Sequence, residues 1–137
     1  GLDQPYGAAM QNLASTSPNS LFPGMLSGDA KWGAFYESEV FVLPSHQENF
    51  GIAVVEALAC AKPALISNKV NIWREVAKGN GGIVKADTKT ATYALLKDWL
   101  ILTKREKFQM GKHAKRVYLD YFTIEQAGIK FVRGNYY

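Results

Sequence analysis

One cysteine, Cys60, stands among 137 residues, which leaves no internal disulfide and no zinc site built on paired thiols. A reducing compartment suits such a chain, and a cytoplasmic location is the expectation. No uninterrupted apolar run approaches the roughly 20 residues that span a bilayer. The first residues, Gly1, Leu2, Asp3, Gln4 and Pro5, offer neither a basic start nor an apolar signal core. Internal repeats and low-complexity tracts are lacking too. So is a Gly-x-Gly-x-x-Gly after an early strand, which disfavours the dinucleotide-binding domain of an oxidoreductase. What is present is a globular composition: 47% hydrophobic residues can fill one packed core, and the length allows at most one domain.

The net charge of +4 has its excess in the last third, at Lys104, Arg105, Lys107, Lys112, Lys115 and Arg116. These alternate with Glu106, Phe108, Met110, Val117 and Tyr118, as on the solvated face of an amphipathic helix. No RNA- or DNA-binding motif accompanies the charge, so nucleic acid is not an expected partner. An acidic membrane surface or a partner domain stays open.

Helical and strand patterns alternate along the chain, which points to a parallel sheet with helices on its faces. A helix is expected over residues 6–14 and a loop over residues 15–20, with Leu21 and Phe22 leading a short strand into Gly24. Asp29 can cap a helix through Ser38, with Trp32, Phe35 and Tyr36 facing inward. The apolar run 40–43, closed by Pro44, suits the middle of a parallel sheet, and the next helix opens near Phe50 and Gly51. Pro63 precedes a buried strand over residues 64–67. A short helix over 72–77 runs into a glycine-rich stretch, 79–82, whose glycines suit the positive backbone angles of a turn. Because that stretch follows a helix, it reads as a turn and not as a phosphate cradle. A strand follows over 83–85. Helices then start at Thr88, with Ala91, Leu95, Leu96, Trp99, Leu100 and Leu102 on one face, at the cap Thr103, and over 124–132. With about four strands, and a start at Gly1 as though leaving a strand not present, the chain reads as a fragment.

The helix opening at Gly51 carries Ile52, Ala53, Val54, Val55, Ala57, Leu58 and Ala59, and its single charge is Glu56. A carboxylate among apolar neighbours needs a donor: a ligand hydroxyl pair, or a nearby Lys, Arg or backbone group. Glu48 follows a buried strand, where open parallel sheets place ligands. Residues 49–52 are expected to form a first helical turn whose amides suit a diphosphate, with Gly51 letting a ligand approach the backbone. Ser45 beside His46 does not make a nucleophile–base pair on an extended segment, and no triad acid is identifiable. His46-x-Glu48 lacks the paired cysteines of a zinc deaminase. His46 reads as a crevice wall near a donor sugar, and no metal is expected.

The run Pro44-Ser45-His46-Gln47-Glu48-Asn49-Phe50-Gly51-Ile52, followed by Val55-Glu56-Ala57-Leu58-Ala59-Cys60-Ala61-Lys62-Pro63, resembles the two-glutamate motif of the family 4, or group 1, glycosyltransferases. Gly24-Met25-Leu26, Lys31-Trp32, the strand before Pro44 and Phe122-Thr123-Ile124-Glu125 extend the resemblance over nearly the whole chain. It implies a Rossmann-like parallel sheet with helices on both faces, as the incomplete C-terminal, donor-binding half of a two-domain GT-B fold. The N-terminal acceptor domain would be a missing partner. The activity implied is retaining hexosyl transfer from a nucleotide-diphosphate sugar, which is a substrate and not a cofactor, to an acceptor sugar, lipid or other small molecule. Peripheral membrane contact by the full-length enzyme stays open. The resemblance implies a catalytic role for Glu48 against the donor sugar hydroxyls. It assigns amides of Asn49, Phe50, Gly51, Ile52 and Ala53 to sugar and diphosphate oxygens, Glu56 to the ribose, and Leu26 and Lys31 to the neighbourhood of the base. No cofactor is implied. The family commonly has Gly where this chain has Ala61, and its leaving-phosphate basic pair would lie upstream of residue 1, so the chain alone is expected to catalyse little. The alternative is a non-catalytic nucleotide-binding or partner-docking module.

Overall fold

The computed structural model describes residues 4–126, which form two units divided between Gly33 and Ala34. In the first unit, α1 (Pro5–Ala14) begins with Pro5 at its first turn, where a missing N–H costs nothing. Residues 15–27 hold no strand. The strand expected at Leu21 and Phe22 is therefore absent: Leu21 is 87% exposed, Pro23 follows Phe22, and Gly24 turns the backbone to φ 77°. Helix α2 (Gly28–Glu37) starts in this unit and continues into the next, with Asp29 inside the first turn instead of capping it. Trp32 and Tyr36 do not face inward; both are exposed, and only Phe35 is half-buried, tilted against Phe41 at 5.8 Å.

The second unit is built on a parallel sheet of β1 (Phe41–Leu43), β2 (Ala64–Ser67) and β3 (Gly82–Lys85), in the order β1-β2-β3 among the described residues. Register pairs Leu65 with Val42 on one side and with Ile83 on the other. The central strand is thus β2, buried at every position. The apolar run at β1, expected in the middle, lies at an edge with Val42 39% exposed.

Alternation along β2 sends Ala64 and Ile66 to one face and Leu65 to the other. On the first face they pack with Val54 and Leu58 of α3 (Ile52–Ala59), Val76 of α4 (Trp73–Lys78), and Ala114 and Val117 of α6 (Lys104–Tyr121). On the second face Leu65 packs with Leu95 and Trp99 of α5 (Lys89–Ile101). Helices therefore cover both faces, as expected of the fold class. Of the face read into α5, Leu96 and Leu100 stay exposed.

Thr88 caps α5 by accepting from the Ala91 N–H, and Thr103 forms a reciprocal capping box with Glu106 at the start of α6. The Thr103 hydroxyl and N–H, donating to Glu106, hold its carboxyl below the usual range. On α6 the small and apolar Gly111, Ala114 and Val117 face inward, so most of the basic cluster lies on the outer face. Only Lys107 among these six is mostly covered, its ammonium paired with Glu39 at 3.2 Å. The helix expected over 124–132 is described only at residues 124–126; the rest lies outside the described residues.

In the turn after α4 the residue with positive φ is Asn80, at 52°, and not one of its glycines. Those glycines answer to packing instead. A Cβ on Gly79 would lie 2.2 Å from Val117 Cγ2, which would force α6 away.

Helix α3 ends in a Schellman motif: the Ala61 N–H donates to Leu58 O at 3.0 Å and the Lys62 N–H to Ala57 O at 2.9 Å. Ala61 occupies the left-handed position, φ 59°, where an L side chain is strained by about 1–2 kcal/mol. Ala61→Gly is expected to raise the unfolding free energy by about 1 kcal/mol after allowing for the freer unfolded chain. A lowered denaturant midpoint would contradict the strain argument.

Candidate functional site at the carboxyl edge of the sheet

The carboxyl ends of β1, β2 and β3 open into loops 44–51, 68–72 and 86–88, the edge at which open parallel sheets place ligands. Ser67, the last residue of β2 and a buried polar side chain, organises the first two. Its hydroxyl donates to the Ser45 carbonyl and accepts from the Lys69 N–H at 3.2 Å. Sequence reasoning placed Ser67 in the strand without this role; the available signal was a hydroxyl closing an apolar buried strand.

Beyond Ser67 the two loops pair again. The Glu48 N–H donates to Lys69 O at 3.2 Å and the Asn71 N–H to Glu48 O at 3.0 Å, a parallel bridge between Glu48 and Val70. The Glu48 backbone is thereby fixed to the loop after the central strand. Its carboxylate Oε1 accepts from the Gly51 N–H at 3.3 Å. Gly51 is the N-cap of α3 at φ 65°, so Asn49 and Phe50 lie before the helix instead of in its first turn. The first helical bond runs from Val55 N–H to Gly51 O, leaving the amides of Ile52, Ala53 and Val54 ahead of any i→i−4 partner.

The fold supplies a conformational and packing reason for glycine at position 51. The positive φ disfavours a side chain, and a Cβ would point 3.2 Å from Val70 Cγ1 and 3.5 Å from Val54 Cγ2. The missing side chain makes room for the core on that side.

The helix is not buried all round. Val54, Ala57 and Leu58 face the core, whereas Ile52 is 64% exposed and Ala53 and Glu56 are half-buried. Spacings of three and four put Ala53, Ile52 and Glu56 on one stripe, so Glu56 shares its side of α3 with the first-turn amides. The two remaining predicted residues belong to the other unit. Leu26 is half-buried in the irregular segment before α2, and Lys31 sits early in α2 with its ammonium 4.7 Å from the Trp32 ring centroid.

His46 is exposed at the rim, with Nδ1 3.3 Å from Asp87 Oδ2. That hydrogen bond is the main cause holding the Asp87 carboxyl below its ordinary range; slight burial opposes it, and the Lys69 charge adds to it. Among the described residues no group of three or more His, Cys, Asp or Glu side chains gathers for a metal, and no helix is long and apolar enough to cross a membrane.

A parallel sheet covered by helices on both faces, with one glutamate before and one within the glycine-capped helix α3 at its carboxyl edge, is a Rossmann-like arrangement. Comparison with known proteins makes the assignment particular. A family profile described as "Glycosyl transferases group 1" matches residues 9–117, and the chain belongs to that family. It is similar to a sulfoquinovosyl transferase of Arabidopsis thaliana, 35% identical over 63 residues, covering 46% of this chain and 12% of the relative. It is also similar to a D-inositol 3-phosphate glycosyltransferase of an Arthrobacter species, 29% identical over 82 residues, covering 60% and 20%. The chain thus spans a fifth or less of these curated relatives. Among solved structures, sucrose-phosphate synthase of Thermosynechococcus elongatus matches with a TM-score of 0.78 at 19% identity, over 93% of this chain and 33% of that one. That likeness establishes a shared fold, that of a GT-B enzyme.

Proposed function

We propose that this chain is the donor-binding part of a retaining hexosyltransferase that uses a nucleotide-diphosphate sugar. The observation that carries the reading is the corner at Gly51: a carboxylate on one side, open helix amides after it, and a second carboxylate along the same accessible stripe. In this reading amides from Asn49, Phe50, Gly51, Ile52 and Ala53 hold sugar and diphosphate oxygens, and Glu56 accepts from the ribose hydroxyls. As the bond from sugar to phosphate breaks, positive charge grows on the sugar and negative charge on the diphosphate. Glu48 steadies the first and the helix amides part of the second. The acceptor, a sugar, lipid or other small molecule, is presented by a second domain facing this one, in the cytoplasm.

Calorimetric titration of the full-length polypeptide with uridine and guanosine diphosphate sugars tests the assignment. One of them is expected to bind, and Glu56→Ala is expected to weaken that binding by roughly 10- to 100-fold through loss of charge-assisted hydrogen bonds. Absence of binding to every sugar nucleotide tried would sink the reading.

A further inference from the structure

We propose that the cleft beside Glu48 is a subsite for an oxyanion carried on a sugar, a phosphate or a carboxylate, gripped by Lys69 and Arg74. The proposal deepens the glycosyltransferase reading and rests on it, since the sugar concerned is a substrate of the same site. The cleft is open, about 390 Å³, and its charged lining is Glu48, Lys69 and Arg74. Two cations thus face one carboxylate, and that carboxylate already accepts from the Gly51 N–H.

Neither cation is held in an ion pair among the described residues. Arg74 lies with its guanidinium carbon 4.6 Å from the Trp73 ring centroid. A cation–π contact of that kind holds the guanidinium near the ring and leaves its N–H groups able to bind two oxygens at once. Lys69 is fixed at its backbone: its N–H donates to Ser67 and its carbonyl accepts from Glu48. The root of the lysine side chain is therefore tied to the backbone of the residue assigned to the donor sugar, and its ammonium is free to reach over the cleft.

Around the cations stand the carboxamides of Asn49, Asn68 and Asn71, donors and acceptors of the kind that suit sugar hydroxyls. Carboxamides alone would serve a neutral sugar. Two cations facing one carboxylate leave the cleft lining with a positive excess, which favours a ligand that brings its own negative charge, and their nearness to Glu48, the residue assigned to the donor sugar, associates that charge with a sugar.

The test uses the full-length polypeptide and three probes: glucose, glucose 6-phosphate and glucuronate. At least one anionic sugar is expected to bind roughly tenfold or more tightly than glucose, and the tighter of the two tells phosphate from carboxylate. Combined Lys69→Gln and Arg74→Gln substitution is expected to abolish that preference while the melting temperature holds, since both side chains are exposed. Equal binding of all three sugars, or a preference that survives both substitutions, would overturn the proposal. Nucleoside diphosphates are titrated separately. If they fail to bind while the anionic sugar still does, the nucleotide-sugar donor assignment falls and the oxyanion subsite stands.

Discussion

Glu48→Gln in the full-length polypeptide is expected to lower kcat by about 100- to 1,000-fold, the size found when one preorganised electrostatic group is taken from a transition state. The amide keeps an oxygen able to accept from the Gly51 N–H, and the backbone bonds to Lys69 and Asn71 do not involve the side chain. The fold and the α3 corner should therefore persist, and nucleotide affinity should change little. What is lost is the negative charge that the proposed function sets beside the sugar carbon. Glu48→Ala removes the acceptor too, and should cost stability as well, about 1 kcal/mol. Turnover by the Gln variant within threefold of the unaltered enzyme would remove Glu48 from the chemistry.

The second large effect concerns the sheet. Gly82 opens β3 opposite Ala64, and a Cβ there would lie 1.8 Å from the Ala64 carbonyl oxygen and 2.7 Å from its carbon. Both atoms are backbone of the central strand, so neither can rotate away. Gly82→Ala is expected to lower the unfolding free energy by about 3 kcal/mol or more, lowering the melting temperature by roughly 10 °C or more. Gly33→Ala, on an open surface of α2 with nothing within 4 Å of the added carbon, provides the contrast and should be neutral or stabilising. Equal melting temperatures for the two variants would mean that β3 can slide past β2.

Particular residues show how much of this was legible in the sequence. β2 matches its expected bounds because the apolar run Ala64-Leu65-Ile66, closed by Ser67 and set off by Pro63, has few other uses. The caps Thr88 and Thr103 announce α5 and α6 because capping is a local hydrogen-bonding matter. The core contacts of α2 could not be read the same way. Helical spacing of Trp32, Phe35 and Tyr36 tells which side chains share a face, but not whether another element covers it, and Tyr36 is 63% exposed.

At the candidate site, the order of strand, loop and helix was legible, and both glutamates fall on the elements expected, Glu48 in the loop after β1 and Glu56 within α3. The cause of each glycine was not legible. Gly79 is dictated by Val117 and Gly51 in part by Val70, contacts made only once distant segments meet. The Glu48 bridge to Val70 likewise depends on a loop about twenty residues onward, which no local pattern specifies.

Helix α3 is gripped firmly at the end away from its glycine corner. The Lys115 ammonium donates to Ala59 O at 2.8 Å, and Gly111 lets α6 come so near that an added Cβ would lie 2.8 Å from Ala61 O. An eight-residue helix is too short to bend appreciably, so it acts as a stiff strut between α6 and the turn at Glu48. Damage to α6 should therefore surface as misaimed amides at the opposite end of α3, turning an ordinary packing defect into a loss of alignment.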